Sequence, residues 1–280
     1  MEKCIVRLCG QFVNTVNQMD WYQYIDTSRV LVFTLVLTRM SGIVMMSPVI
    51  GGSDIPVQVR ALFAFTLTLL IMPSQWSVII AEPKNLTAYA VLIAAELGVG
   101  LSLGLGLNLF FTGASMAGEL IGQIGGLTAS QIFDPISGDQ TPLLSRMFQY
   151  LAVTVFAAVG GLHVLVTSLL DTFETLPPGE AVFQPTIAYS LIKILGLSFN
   201  LSIRIAAPVM VAVLVAMLVM GLLGKTLPQL NLMSVGFGVN SVIMFAVMAL
   251  SLGAGIWCFQ ERIDDVFQLL FSGLHASVEP

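Results

Sequence analysis

The sequence predicts an all-α membrane protein, and three observations lead there. Of its residues, 56% are hydrophobic and only 10% are charged, against about 25% charge in soluble domains. Charge-free stretches recur from Ala61 to Ala81, Leu97 to Gly118, Met147 to Leu170, Ile205 to Gly224 and Thr226 to Gln260. Each matches or exceeds the roughly 20 apolar residues that carry a helix across a hydrocarbon core. No alternation of apolar and polar residues stands out to argue for strands.

The elements follow in order. Met1 to Asp20 mixes Glu2, Lys3, Arg7, Asn14 and Asn17 into its apolar residues, so no uninterrupted core of a cleavable signal is expected. The first apolar block, Val30 to Ile50, contains Arg39 and ends at Ser47-Pro48, with Gly51 to Pro56 as a turn. Pro73 to Trp76 and Glu82 to Asn85 then separate a second block from a long segment, about Thr87 to Met116. Leu176-Pro177-Pro178-Gly179-Glu180 reads as the main boundary of the chain. Beyond it, two long helical segments flank Lys225 and make a hairpin. A short amphipathic tail follows, with Ile263, Val266, Phe267, Leu270 and Phe271 at helical spacing. The division is therefore residues 1–180, 181–265 and 266–280.

Several function classes are disfavoured. The net charge of -5 offers no basic surface for nucleic acid. Cys4, Cys9 and Cys258 have no metal-ligand spacing, so neither a metal nor a cofactor is expected. No Gly-x-x-x-x-Gly-Lys-Ser/Thr is present for a nucleotide phosphate. Gly98, Gly100, Gly104 and Gly106 lie inside an apolar run and read as close helix packing. Ser41-Gly42 and Ser137-Gly138-Asp139 lack the flanking residues of intramembrane proteases, and an enzyme is not expected. The 11 cations are spread almost singly along the chain, so the positive-inside rule gives no orientation. That spread points to a chain not threaded through lipid in the usual way.

Some charges sit where hydrocarbon would penalise them. Arg39 lies inside an apolar block, and Arg204 interrupts the run from Ile187 to Gly224. An arginine at mid-bilayer costs about 2.5–3.5 kcal/mol on insertion scales. Glu96 and Glu119 bracket another apolar stretch. One reading is an ion or proton relay; the other is that these groups pair with partner subunits or meet water. His163, after Gly160-Gly161-Leu162, reads as a packed imidazole, and His275 belongs to the tail.

The character of the chain changes between Ala117 and Pro142. Gly118, Gly122, Gly125 and Gly126 each weaken a helix by roughly 1 kcal/mol relative to alanine, and Phe133-Asp134-Pro135 then stops it. Leu120, Ile121, Ile124, Leu127, Ile132 and Phe133 make this an apolar, flexible loop that belongs inside a pore, an oligomer axis or a re-entrant packing site. The other distinctive string is Gly221-Leu-Leu-Gly-Lys-Thr-Leu-Pro-Gln-Leu-Asn-Leu-Met-Ser-Val-Gly-Phe237. It predicts a hairpin turn built on Gly224, Lys225, Pro228, Gln229 and Asn231, which must sit in water or be held by protein.

That string resembles the signature of the FliR family of flagellar export-gate proteins. The resemblance runs from about Leu37 to Phe259 and includes Arg39-Met-Ser-Gly42, Pro48, Ile55-Pro56, Arg60, Arg146, Gly161, His163 and Asp171 to Pro177. It departs after Phe237, where the family pattern has a proline and this chain has Gly238-Val239-Asn240. The resemblance implies a FliP-like part, residues 1–180, followed by a FliQ-like hairpin, residues 181–265. It further implies a place in the bacterial inner membrane, at the flagellar basal body. One such chain joins about five copies of FliP and about four of FliQ in a helical, cone-like assembly. An FlhB-like export component, unfolded export substrates and membrane lipid are the other implied partners. Ala117-Gly118-Glu119, the glycines and Phe133-Asp134-Pro135 are similar to the family's plug loop, which places the plug at Ile121 to Pro135. Arg39, Arg60, Arg204 and Lys225 are then charges for burial or assembly. Two readings from other classes remain: a stand-alone transporter of a small solute, supported by broken helices and buried charges, and a structural membrane scaffold.

Overall fold

The computed structural model describes residues 27–49, 51, 55–75, 85–127, 142–180, 185–226 and 232–275. Among them are seven α-helices and no strand, as the sequence predicts. They are α1 (Thr27–Met46), α2 (Val57–Ile71), α3 (Leu86–Ile124), α4 (Leu143–Ala158), α5 (Gly161–Thr175), α6 (Pro185–Thr226) and α7 (Leu232–His275). A single 3-10 turn, Met72–Gln75, extends α2 where Pro73 interrupts the helical bonding pattern.

Helix α3 is the hub and packs against α1, α4, α6 and α7. Its glycines are where neighbours come closest. A Cβ on Gly42 of α1 would lie 3.0 Å from the Leu101 nitrogen, and one on Gly104 would lie 2.7 Å from the Met46 Cβ. Further along, a Cβ on Gly113 would lie 2.7 Å from the Ser198 carbonyl oxygen of α6. Small residues let helix backbones approach closely in this way. Aromatic rings fill the centre. Phe110 and Phe111 of α3 pack on Phe259 of α7, and Phe111 also meets Phe156 of α4 edge-on at 5.3 Å.

Helices α6 and α7 form the expected hairpin, with Ile205 beside Gly255 and Met220 beside Gly236. Helix α7 continues unbroken to His275, so residues 266–275 are not a separate tail. Ile263, Val266, Phe267 and Leu270 bury one stripe of that helix. A second expectation also changes. Met147 to Leu170 does not make one straight span, because α4 and α5 bend by 73° at Gly160, whose φ is 84°. An L-residue rarely adopts that conformation, whereas glycine does so freely.

Among the described residues, five helices are long and apolar enough to cross a membrane, or six if the bent pair is one span. At 39, 42 and 44 residues, α3, α6 and α7 are about 58, 63 and 66 Å long at 1.5 Å per residue. That is about twice the hydrocarbon thickness of ~30 Å. No tilt within the usual range of about 0–40° contains them, so part of each lies outside the hydrocarbon.

Candidate functional site

The carboxyl end of α3 carries most of the plug residues and is a packed helix rather than a loop. Gly118, Glu119, Ile121, Gly122 and Ile124 are all helical. Gly118 does not loosen this turn, because its missing side chain makes room for a neighbour. Gly118 lies against the Leu144 backbone of α4, where a Cβ would stand 2.7 Å from the carbonyl carbon. Gly122 faces the Leu144 side chain. Ile121 is buried, and Glu119 is half-buried and accepts a hydrogen bond from Gln123 Nε2 at 3.1 Å.

The helix stops at Gly125-Gly126-Leu127 by a Schellman motif. The Gly126 amide donates to the Gln123 carbonyl at 3.2 Å, and the Leu127 amide to the Gly122 carbonyl at 3.0 Å. Gly126 takes the left-handed conformation this requires, with φ 78°. The same turn abuts the hairpin: Gly125 meets the Met244 sulfur, and Gly126 faces the Phe237 ring of α7. A small apolar cleft opens beside it, lined by Ile121, Phe148, Leu151, Ile205, Met248 and Leu252 among others. Phe133, Asp134 and Pro135 lie outside the described residues, as do Pro228, Gln229 and Asn231 of the hairpin turn.

The second cluster is one that sequence reasoning left unassembled. Arg39 of α1 and Glu96 of α3 form an ion pair within the chain, Nε to Oε2 2.6 Å, with both side chains wholly buried. Arg39 Nη1 also donates to the Leu176 carbonyl at 3.0 Å, and its guanidinium lies 4.3 Å from the Phe173 ring centre. The other carboxylate oxygen, Glu96 Oε1, accepts from the Gly179 amide at 2.9 Å. Neither a partner subunit nor water is needed to neutralise these two charges. Opposite charges in two separate apolar segments were the available signal, and the notion that they meet each other was missed.

The remaining predicted charges do not join this cluster. Arg60 is half-buried and its guanidinium holds the Ile55 carbonyl at the entrance to α2, from Nε at 3.0 Å and Nη2 at 2.8 Å. Arg204 and Lys225 are exposed on α6, Lys225 next to Gly224 at its last turn. His163 is exposed at the start of α5 rather than packed, because the bend at Gly160 carries it out of the apolar run. Among the described residues no group of three or more His, Cys, Asp or Glu is placed to hold a metal.

A helical membrane protein with overlong spans, a buried ion pair and a glycine-terminated central helix is the class these features define. Within that class, the sequence profile of the bacterial export proteins, family 1, matches residues 30–266. The chain belongs to that family, and it is similar to several flagellar biosynthetic FliR proteins. The flagellar biosynthetic protein FliR of Caulobacter vibrioides is 28% identical over 240 residues, covering 84% of this chain and 96% of the relative. FliR of Escherichia coli is 27% identical over 239 residues (84% and 89%), and FliR of Aquifex aeolicus is 27% identical over 245 (87% and 94%).

Proposed function

We propose that this chain is a core subunit of the flagellar type III protein export gate. With FliP and FliQ it forms the channel through which unfolded flagellar proteins pass, in the bacterial inner membrane at the flagellar basal body. Residues 1–180 take the FliP-like place and 181–265 the FliQ-like place, beside an FlhB-like component. The glycine-rich segment plugs the closed pore. The mechanism is passage rather than catalysis, with the driving energy supplied by other components.

One observation carries this reading. The end of α3 is anchored on both sides, by Gly118 against α4 and by Gly125-Gly126 against Met244 and Phe237 of α7. It is therefore a firm base, with Ile121 buried, from which the segment leading to Phe133-Asp134-Pro135 departs. A seal needs such a fixed base as well as a displaceable part. Helices about twice as long as the hydrocarbon is thick also fit a chain held within a protein assembly better than a solitary transporter.

The test spares the packed base. Deletion of residues 128–135 is expected to raise small-ion leakage through assembled gates, with assembly intact. Unchanged leakage in a gate of normal composition would refute the plug. The native mass of the chain co-expressed with its FliP and FliQ neighbours tests the assembly itself: a lone, monodisperse chain beside unbound neighbours removes the gate reading.

A further inference from the structure

We propose that Arg39 and Glu96 form a positioning clamp that fixes the joint between the amino-terminal helices and the α6–α7 hairpin. The joint is Leu176-Pro177-Pro178-Gly179. Its two prolines have no amide hydrogen, so its donors are the amides of Leu176 and Gly179. The Leu176 amide closes α5 by donating to the Thr172 carbonyl at 3.0 Å. The Gly179 amide is taken by Glu96 Oε1, while Arg39 Nη1 takes the Leu176 carbonyl. The pair thus grips the chain on both sides of the two prolines.

Three elements are tied by this contact: α1 through Arg39, α3 through Glu96, and the joint that leads to α6. The tie is directional. Glu96 uses one carboxylate oxygen for Arg39 and the other for Gly179, so a shift in register between α3 and the joint breaks the Gly179 bond, and one between α3 and α1 breaks the Arg39 bond. Phe173 beneath the guanidinium restricts Arg39 further. Arg39 Nη1 has the Thr172 carbonyl, in the last turn of α5, as a second and longer contact at 3.5 Å, and Nη2 is buried without a hydrogen-bond partner among the described residues. Gly179 itself has φ 91°, which aims its amide as glycine alone does readily.

Stability does not explain such a pair. Apolar residues of similar volume usually replace a buried ion pair at no loss or with a gain in stability, and the better-attested use of such pairs is to fix register. Apolar packing would hold α1, α3 and the joint together while leaving their relative orientation adaptable. The clamp selects one orientation and so sets the direction in which the hairpin departs.

The experiment uses the full-length chain in the assembly it forms, with nitroxides at Leu105→Cys on α3 and Leu222→Cys on α6, after replacement of the native cysteines. Pulsed electron resonance reads the distance between them. The double variant Arg39→Met/Glu96→Leu is expected to fold, with a distance distribution about twice as wide as that of the parent, as expected when a single orientation gives way to several. Arg39→Lys, which keeps the charge opposite Glu96 but has one ammonium in place of the guanidinium fork, is expected to fold with intermediate broadening. A distribution as narrow as the parent's in the folded double variant overturns the proposal. Failure of both variants to fold overturns it too, because the pair would then be a requirement of folding itself. The distance readout does not depend on export, so it separates failure of the clamp from failure of the gate reading.

Discussion

Gly100→Ala is the most direct perturbation of the crossing that brings Arg39 to Glu96. An added Cβ would stand 3.1 Å from the Arg39 carbonyl carbon and 3.2 Å from its Cα, and would run into the carbonyl oxygen. Carbon atoms settle at about 3.5–4.0 Å from one another and at about 3.3–3.6 Å from a carbonyl oxygen, so α1 must withdraw by roughly 1 Å to clear the oxygen. These are backbone atoms, which cannot rotate out of the way as a side-chain tip does. Overpacking costs about 1–3 kcal/mol, and a clash with backbone atoms falls in the upper part of that range, about 2–3 kcal/mol, while alanine returns about 1 kcal/mol of helix preference. The expected net loss is about 1–2 kcal/mol, rising toward the ~3–5 kcal/mol of a broken buried pair if withdrawal parts Arg39 from Glu96. Gly196→Ala is the internal control. It is also mid-helix, but no neighbour lies within 4 Å of its added Cβ, so it should be neutral or gain up to about 1 kcal/mol. Denaturant unfolding in mixed micelles compares the two. Equal stability of the two variants would refute the claim that Gly100 is there for contact.

The other expectations concern the end of α3, the aromatic centre and the surface. Gly126→Ala should cost about 1–2 kcal/mol from its left-handed backbone and increase hydrogen exchange at Leu127, whose amide closes the turn; unchanged exchange would remove the motif from the account. Phe259→Ala, which withdraws a ring from both Phe110 and Phe111, should cost about 3–5 kcal/mol, measured by the same unfolding series. Asp265→Asn removes the carboxylate paired with Arg262 at 2.8 Å. Since both groups are partly exposed and screened by solvent, the unfolding midpoint should hardly move, and a clear loss would show that this pair is covered.

The pairing of α6 with α7, the helix break at Pro177-Pro178 and the packing role of Gly100 and Gly104 are legible in the sequence, because prolines and glycine spacing act locally. The bend at Gly160 is not. No acidic or basic residue other than His163, and no proline, interrupts Met147 to Leu170, and a glycine pair in such a run is equally compatible with a straight helix. Intrinsic preference makes Gly118 a source of flexibility in the sequence, but it is a weak guide that packing overrides: the space of its missing side chain is filled by the Leu144 backbone of α4. The continuation of α7 past Gln260 was obscured by Glu261, Arg262, Asp264 and Asp265, which change the exposed face without breaking the helix. The Arg39–Glu96 contact joins residues 57 apart in the chain. A sequence shows that two buried charges exist, but their meeting depends on how α1 crosses α3.

The distribution of charge along the hairpin says which part of these overlong helices hydrocarbon can hold. From Ile205 to Gly224 there are 20 residues without a charge, a length of about 30 Å at 1.5 Å per residue and so about one hydrocarbon thickness. Arg204 stands at one end of that stretch and Lys225 at the other. On α7 the change falls at the same level: Gly255 lies beside Ile205, Trp257 is 68% exposed, and Glu261, Arg262, Asp264 and Asp265 follow. An exposed tryptophan at the end of an apolar stretch is the residue type enriched at membrane–water boundaries. Nitroxides at Val211→Cys, Leu218→Cys and Leu250→Cys, all on exposed apolar positions, should therefore meet dissolved oxygen more than a water-soluble nickel chelate. Nitroxides at Ile192→Cys and Asp264→Cys should show the reverse. The same ratio at all five sites would refute the assignment, because a hairpin covered by protein along its whole length, or immersed along its whole length, has no step at Arg204.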